Sequence, residues 1–114
     1  MTDGTQVSIL GTPYTFRMKQ VGEDRRLEGS LGCCDATSKE ILIIDSVENP
    51  PADWETVKKR VARHEIIHAY LFESGLGADA IYHVDGQEHP EMIVDWFARQ
   101  APRIFETFQF AGVL

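Results

Sequence analysis

The tract His64-Glu65-Ile66-Ile67-His68 constrains this chain more than any other feature. Two imidazoles four residues apart meet only if the tract is helical. They then lie one turn above each other and can point at one ion. Glu65 falls about 100° round the axis from His64. From there its carboxylate reaches a water beside the ion without serving as a ligand. Zn2+ suits this donor set, because it accepts imidazole nitrogen and brings the pKa of a bound water towards neutrality. The tract therefore predicts a helix, a zinc site built on His64 and His68, and Glu65 as general base.

The neighbouring sequence supports a helix there. No proline or glycine occurs from Ala52 to Ser74, and Val57, Val61, His64, His68 and Leu71 fall on one face at helical spacing. Asn49-Pro50-Pro51 reads as the helix start, and Gly75 with Gly77 as its stop. Leu76 to Pro90 reads as a connecting loop. Glu91 to about Phe110 reads as a second helical segment, with Ile93, Phe97, Ile104 and Phe108 as its apolar face. Pro102 is expected to kink or divide it.

The first half carries strand patterns. Val7 to Leu10 is a short apolar run closed by Gly11-Thr12-Pro13. Tyr14, Phe16 and Met18 alternate with polar residues. Val21 to Gly29 reads as a loop, Ser30 to Asp35 as a third strand and Ala36-Thr37-Ser38-Lys39 as a hairpin turn. The continuous run Ile41-Leu42-Ile43-Ile44 suits a strand buried on both faces. The expected fold is α+β, one domain over residues 1–114. In it a small antiparallel, or mixed, sheet packs on the H-E-x-x-H helix and on a second, ligand-bearing helix.

A catalytic zinc needs a third protein ligand. Ser74 occupies the place where a third histidine would stand in the H-E-x-x-H-x-x-G-x-x-H pattern. Glu91 and Asp95 lie four apart on the next helical segment and share a face. Glu91 offers a carboxylate ligand, and Asp95 an acceptor for the far N–H of a ligand histidine. Both also suit a helix N-terminus, where the dipole favours acids. His89 is a weaker ligand candidate, next to Pro90 and without a partner at helical spacing.

His64-Glu65-x-x-His68 followed by Glu91-Met92-Ile93-Val94-Asp95 resembles the gluzincin metallopeptidases, and in length their single-domain members, the minigluzincins. Arg63 to Phe72 also looks like small phage- or prophage-encoded proteins of that kind. The resemblance covers Gly32 to Phe97. Pro90 departs from it, because an asparagine usually precedes the glutamate ligand. The resemblance implies that Glu91 is the third ligand. It implies that Gly32-Cys33-Cys34-Asp35 and Ile41 to Asp45 are the edge and inner strands above the catalytic helix. Cys33 and Cys34 would then border a groove where an extended peptide pairs with the edge strand. An oxyanion donor is also needed, and Tyr82 and His83 are the candidates in the loop.

The formal net charge of -7 argues against nucleic-acid and anionic-membrane partners. No apolar stretch is long enough to span a bilayer, and Met1 to Thr5 lack signal-peptide character. A cytoplasmic protein is expected. Adjacent Cys33 and Cys34 are expected to stay reduced and lack the spacing of a Cys-x-x-Cys metal site. Two functions remain open. One is a zinc-dependent peptidase acting on a peptide or protein. The other is a non-catalytic zinc module that captures a partner.

Overall fold

A computed structural model describes residues 1–75 and 91–114. Strand β1 (Gln6–Ile9) turns through Leu10 and Gly11 into β2 (Thr12–Gln20). Both turn residues have positive φ, 50° and 89°, as a two-residue hairpin loop demands. Thr12 and Pro13 thus belong to β2 rather than ending β1. Pro13 lacks an N–H, and it lies before β2 begins pairing with its second neighbour at Thr15. Tyr14 and Phe16 are fully buried, as their alternation predicts.

The Val21–Gly29 tract is a loop that contains a short 3-10 turn, Arg25–Leu27. β3 (Gly32–Asp35) follows, and β4 (Glu40–Ser46) comes back antiparallel to it. β4 inserts between β2 and β3, parallel to β2, giving the order β1-β2-β4-β3. The sheet is therefore mixed. The 36–39 turn forms as expected, with Lys39 at φ 59°. Central β4 is buried on both faces. Ile41 and Ile43 join the main core under the helices. Leu42 and Ile44 pack with Leu27 and Trp54 on the other side.

Helix α1 (Trp54–Glu73) starts four residues later than the prolines suggest. Asp53 caps it, accepting from the Thr56 amide at 3.3 Å and the Thr56 hydroxyl at 2.7 Å. Asn49 instead adopts a left-handed turn, φ 54°. Both ends of α1 are tied to the sheet. At the start, Trp54 Nε1 donates to the Asp45 carbonyl at 2.7 Å and Lys58 pairs with the Asp45 carboxylate at 2.9 Å. At the end, Glu73 accepts from Tyr14 Oη (2.8 Å), Thr12 Oγ1 (3.2 Å) and Lys39 Nζ (2.6 Å). A carboxylate at a helix C-terminus opposes the dipole, and these three donors offset it. Ser74 and Gly75, φ 84°, then end the helix.

Helix α2 (Glu91–Ala111) runs unbroken through Pro102. The expected division does not occur, because residues on both sides of the proline are anchored. Trp96 packs against the main core and donates to Ser74 Oγ at 2.9 Å. Beyond Pro102, Ile104, Phe108 and Ala111 are buried in the same core. Phe97 and Phe105 face outward. Tyr70 Oη links α1 to α2, at 2.7 Å from Thr107 Oγ1 and 3.1 Å from the Arg103 carbonyl. No helix among the described residues is long and apolar enough to cross a membrane.

Arg26 organises the far end of the β3–β4 hairpin. Its guanidinium contacts Asp24, Asp35 and Glu40 at 2.8–2.9 Å. Hydrogen bonds from Arg26 hold the Asp24 carboxyl at about 2 and, with Arg17, lower that of Glu40. Thr37 and then Arg26 lower Asp35. Carboxylates depressed in the folded state add stability above the ordinary carboxylate range, about 4. That stability is lost as pH falls through the depressed values. The urea midpoint should therefore hold steady from pH 7 to about 5 and decline below about 4. Arg26→Met should lower the midpoint at pH 7 and flatten the acid decline. Parallel curves for the two proteins would contradict this.

Candidate metal centre

α1 presents its main core face through Ala62, Ile66, Ala69 and Tyr70, all essentially inaccessible. The two alanines let the helix lie close to the sheet. The face carrying Val57, Val61, His64 and His68 is not this core stripe. It is a flank of the helix, only partly covered. His64 is exposed, His68 half-buried, and Glu65, between the flank and the core, is 7% exposed.

The two imidazoles converge. Their Nε2 atoms are 3.1 Å apart, with ring planes at 65°. Two nitrogens bound tetrahedrally at zinc–nitrogen distances would stand about 3.3 Å apart. The observed separation is within a few tenths of an ångström of that. Donor atoms of His64, Glu65 and His68 all lie within 4.8 Å of one another. The donor set fits zinc, and Glu65 lies near enough to bond a water beside the ion.

Burial shapes the protonation of this group. Desolvation lowers the pKa of His68, and the nearby His64 adds to the effect. The neutral imidazole, which is the form that binds a metal, is favoured. Desolvation raises the pKa of Glu65, opposed by His64 and by a hydrogen bond from the Cys34 amide. A carboxyl raised in this way is a better proton acceptor near neutral pH.

The cover over Glu65 is edge strand β3. The Leu31 carbonyl accepts from the Ile44 amide at 3.0 Å. By antiparallel alternation, Gly32 and Cys34 turn their backbone groups away from β4. The Cys34 amide thereby reaches Glu65. Gly32 lies directly on the helix. A Cβ there would stand 2.5 Å from Val61 Cγ1 and 3.1 Å from both Cγ and Oε2 of Glu65. Sequence reasoning placed Gly32 in a strand without giving it a role. The available signal was a glycine inside a strand, which marks close backbone approach.

The groove beside the site, about 470 Å³, is bordered by Gly29 to Gly32 on one side and Arg60, Val61, His64 and Glu65 on the other. It is Leu31 and Gly32 that border it rather than Cys33 and Cys34. The cysteines are both free. They point to opposite faces of the sheet, Cys34 against the main core and Cys33 against Leu42 and Ile44. Burial raises the Cys33 thiol and, followed by the charge of Glu65, pushes the Cys34 thiol up to about 12. Neither thiol is set up as a thiolate ligand.

Glu91 opens α2 and Asp95 lies one turn along it. Their side chains are outside the described set, as are Tyr82, His83 and His89 altogether. The Trp96–Ser74 bond brings this part of α2 to the C-terminal end of α1.

No protein-family model matches this chain, and no match is found among curated proteins or solved structures.

The close approach at Gly32 gives a direct test. Gly32→Ala should destabilise the fold by about 1–3 kcal/mol, the usual cost of overpacking. The nearest atom belongs to Val61, a β-branched side chain with little rotamer freedom. Val61→Ala should therefore cost less in the Gly32→Ala background than in the wild type. Urea denaturation of the four proteins checks this, and strictly additive effects would contradict it.

Proposed function

We propose that this chain is a zinc-dependent peptidase of gluzincin type that hydrolyses an extended peptide. The observation that carries the reading is the convergence of His64 and His68 Nε2 at 3.1 Å, with the buried Glu65 carboxylate beside them. His64 and His68 would hold the ion, with Glu91 as third ligand and Asp95 as acceptor for the far N–H of a ligand histidine. Bound zinc supplies Lewis acidity, which brings a water's pKa to about 7.

Glu65 accepts the proton of the attacking water and returns it to the departing amine nitrogen. Its burial fits it for both steps, since a raised pKa narrows the gap to either partner. The outer edge of β3 offers main-chain groups to an extended substrate. Tyr82 and His83 are the proposed donors to the oxyanion. We assign the protein to the cytoplasm of a bacterium or its phage, in keeping with the free Cys33 and Cys34 and with the resemblance of Arg63 to Phe72 to small phage- or prophage-encoded proteins.

One observation favours the alternative of a non-catalytic zinc module. Glu65 is buried under strand β3 against Gly32, which gives that side chain a packing task as well. Glu65→Gln separates the two readings, because the amide keeps the shape of the carboxyl but cannot take a proton. The variant should keep its fold and zinc content. Cleavage of a peptide pool should fall by about 10²–10⁴-fold at equal zinc occupancy. Equal cleavage by both proteins would refute the general-base role. Zinc uptake with no cleavage by either would favour the binding module.

A further inference from the structure

We propose that the groove beside the histidines recognises a carboxylate of the bound peptide, and that Arg60 is the residue that selects it. The inference rests on the peptidase reading and names a substrate feature for it.

Arg60 lies one helical turn before His64, so the two share a flank of α1. It is exposed and borders the groove together with Leu31, Gly32 and His64. Two of the other basic residues of α1, Lys58 and Arg63, have partners. Lys58 is held by Asp45 and Glu55, each at 2.9 Å. Arg63 donates to the Val113 carbonyl at 2.6 Å. Arg60 has no hydrogen bond or ion pair with any described residue. Its guanidinium donors thus have no partner among the described residues.

The groove wall opposite is neutral, made by Gly29, Ser30, Leu31 and Gly32. A peptide laid along β3 passes between this wall and Arg60. A carboxylate at that point would meet a planar fork suited to bidentate contact. The chain's net charge of -7 repels acidic polypeptides at long range. The selection is therefore for one carboxylate at one place, not for an acidic tract. That carboxylate is either an Asp or Glu side chain or a free peptide C-terminus.

The test uses the full chain loaded with zinc. The Glu65→Gln protein retains peptides without cutting them. It is offered a pooled library of short synthetic peptides in which each position carries in turn Asp, Glu, Asn, Gln, Lys or Leu. The library is made with free and with amidated C-termini, and the retained peptides are sequenced. The wild type is run in parallel for cleavage. Enrichment of Asp or Glu at one position, or of free over amidated termini, supports the proposal and tells the two sources apart. Adding Arg60→Gln should reduce that preference by roughly three- to tenfold, between an exposed ion pair and a charged hydrogen bond. Arg60→Glu should reverse it towards lysine. Arg60 is exposed, so both variants should fold and take up zinc as before, checked by circular dichroism and elemental analysis. Peptides retained or cleaved with no carboxylate preference, or with one that Arg60→Gln leaves intact, overturn this inference and leave the peptidase reading standing. Zinc uptake with no peptide retained or cleaved overturns the peptidase reading, and the inference with it.

Discussion

Strand β3 lies so close on α1 that one added carbon at Gly32 would overlap Val61 and crowd Glu65. Much of the site follows from this approach. It takes Glu65 out of water although its neighbour His64 stays exposed. It brings the Cys34 amide near the carboxylate. It also makes one wall of the groove beside the histidines. Burying a carboxyl costs free energy unless hydrogen bonds compensate. Here one backbone amide supplies part of that compensation, and the rest shows as a raised pKa. The strand that shields Glu65 is thus also the one that tunes it.

Such an approach requires α1 to be held firmly, and the anchors lie at its two ends. Asp45, at the end of β4, receives Trp54 and Lys58. Glu73 receives groups from β2 and from the turn before β4. Small residues between them, Ala62 and Ala69, set the distance to the sheet. The histidines occupy the flank this packing leaves open, so the same geometry that buries Ile66 exposes His64.

Much of this was legible in the sequence. The H-E-x-x-H spacing specified a helix and an imidazole pair, and both are present. The β-branched run of β4 announced a strand covered on two sides. Three features were not legible. The parallel pairing of β2 with β4 depends on a crossover, and local periodicity carries no information on strand order. The start of α1 was misplaced because Asn49-Pro50-Pro51 and Asp53 both carry capping signals, and only packing of Trp54 on Asp45 selects between them. Pro102 looked like a break, but the core contacts of Trp96 before it and Ile104 after it keep the helix continuous. In the site, Gly32 was given no role because its importance lies in what stands opposite it.

The central claim is that His64 and His68 share one zinc ion. X-ray absorption at the zinc edge, on protein loaded with an equimolar amount of the metal, tests it most directly. The account predicts an all nitrogen and oxygen shell at about 2.0–2.2 Å, with outer-shell scattering from two imidazoles. In His64→Ala, that scattering should fall to one imidazole. A sulfur shell at about 2.3 Å would move the metal to Cys33 or Cys34. An unchanged spectrum in His64→Ala would exclude His64 as a ligand and contradict the shared site.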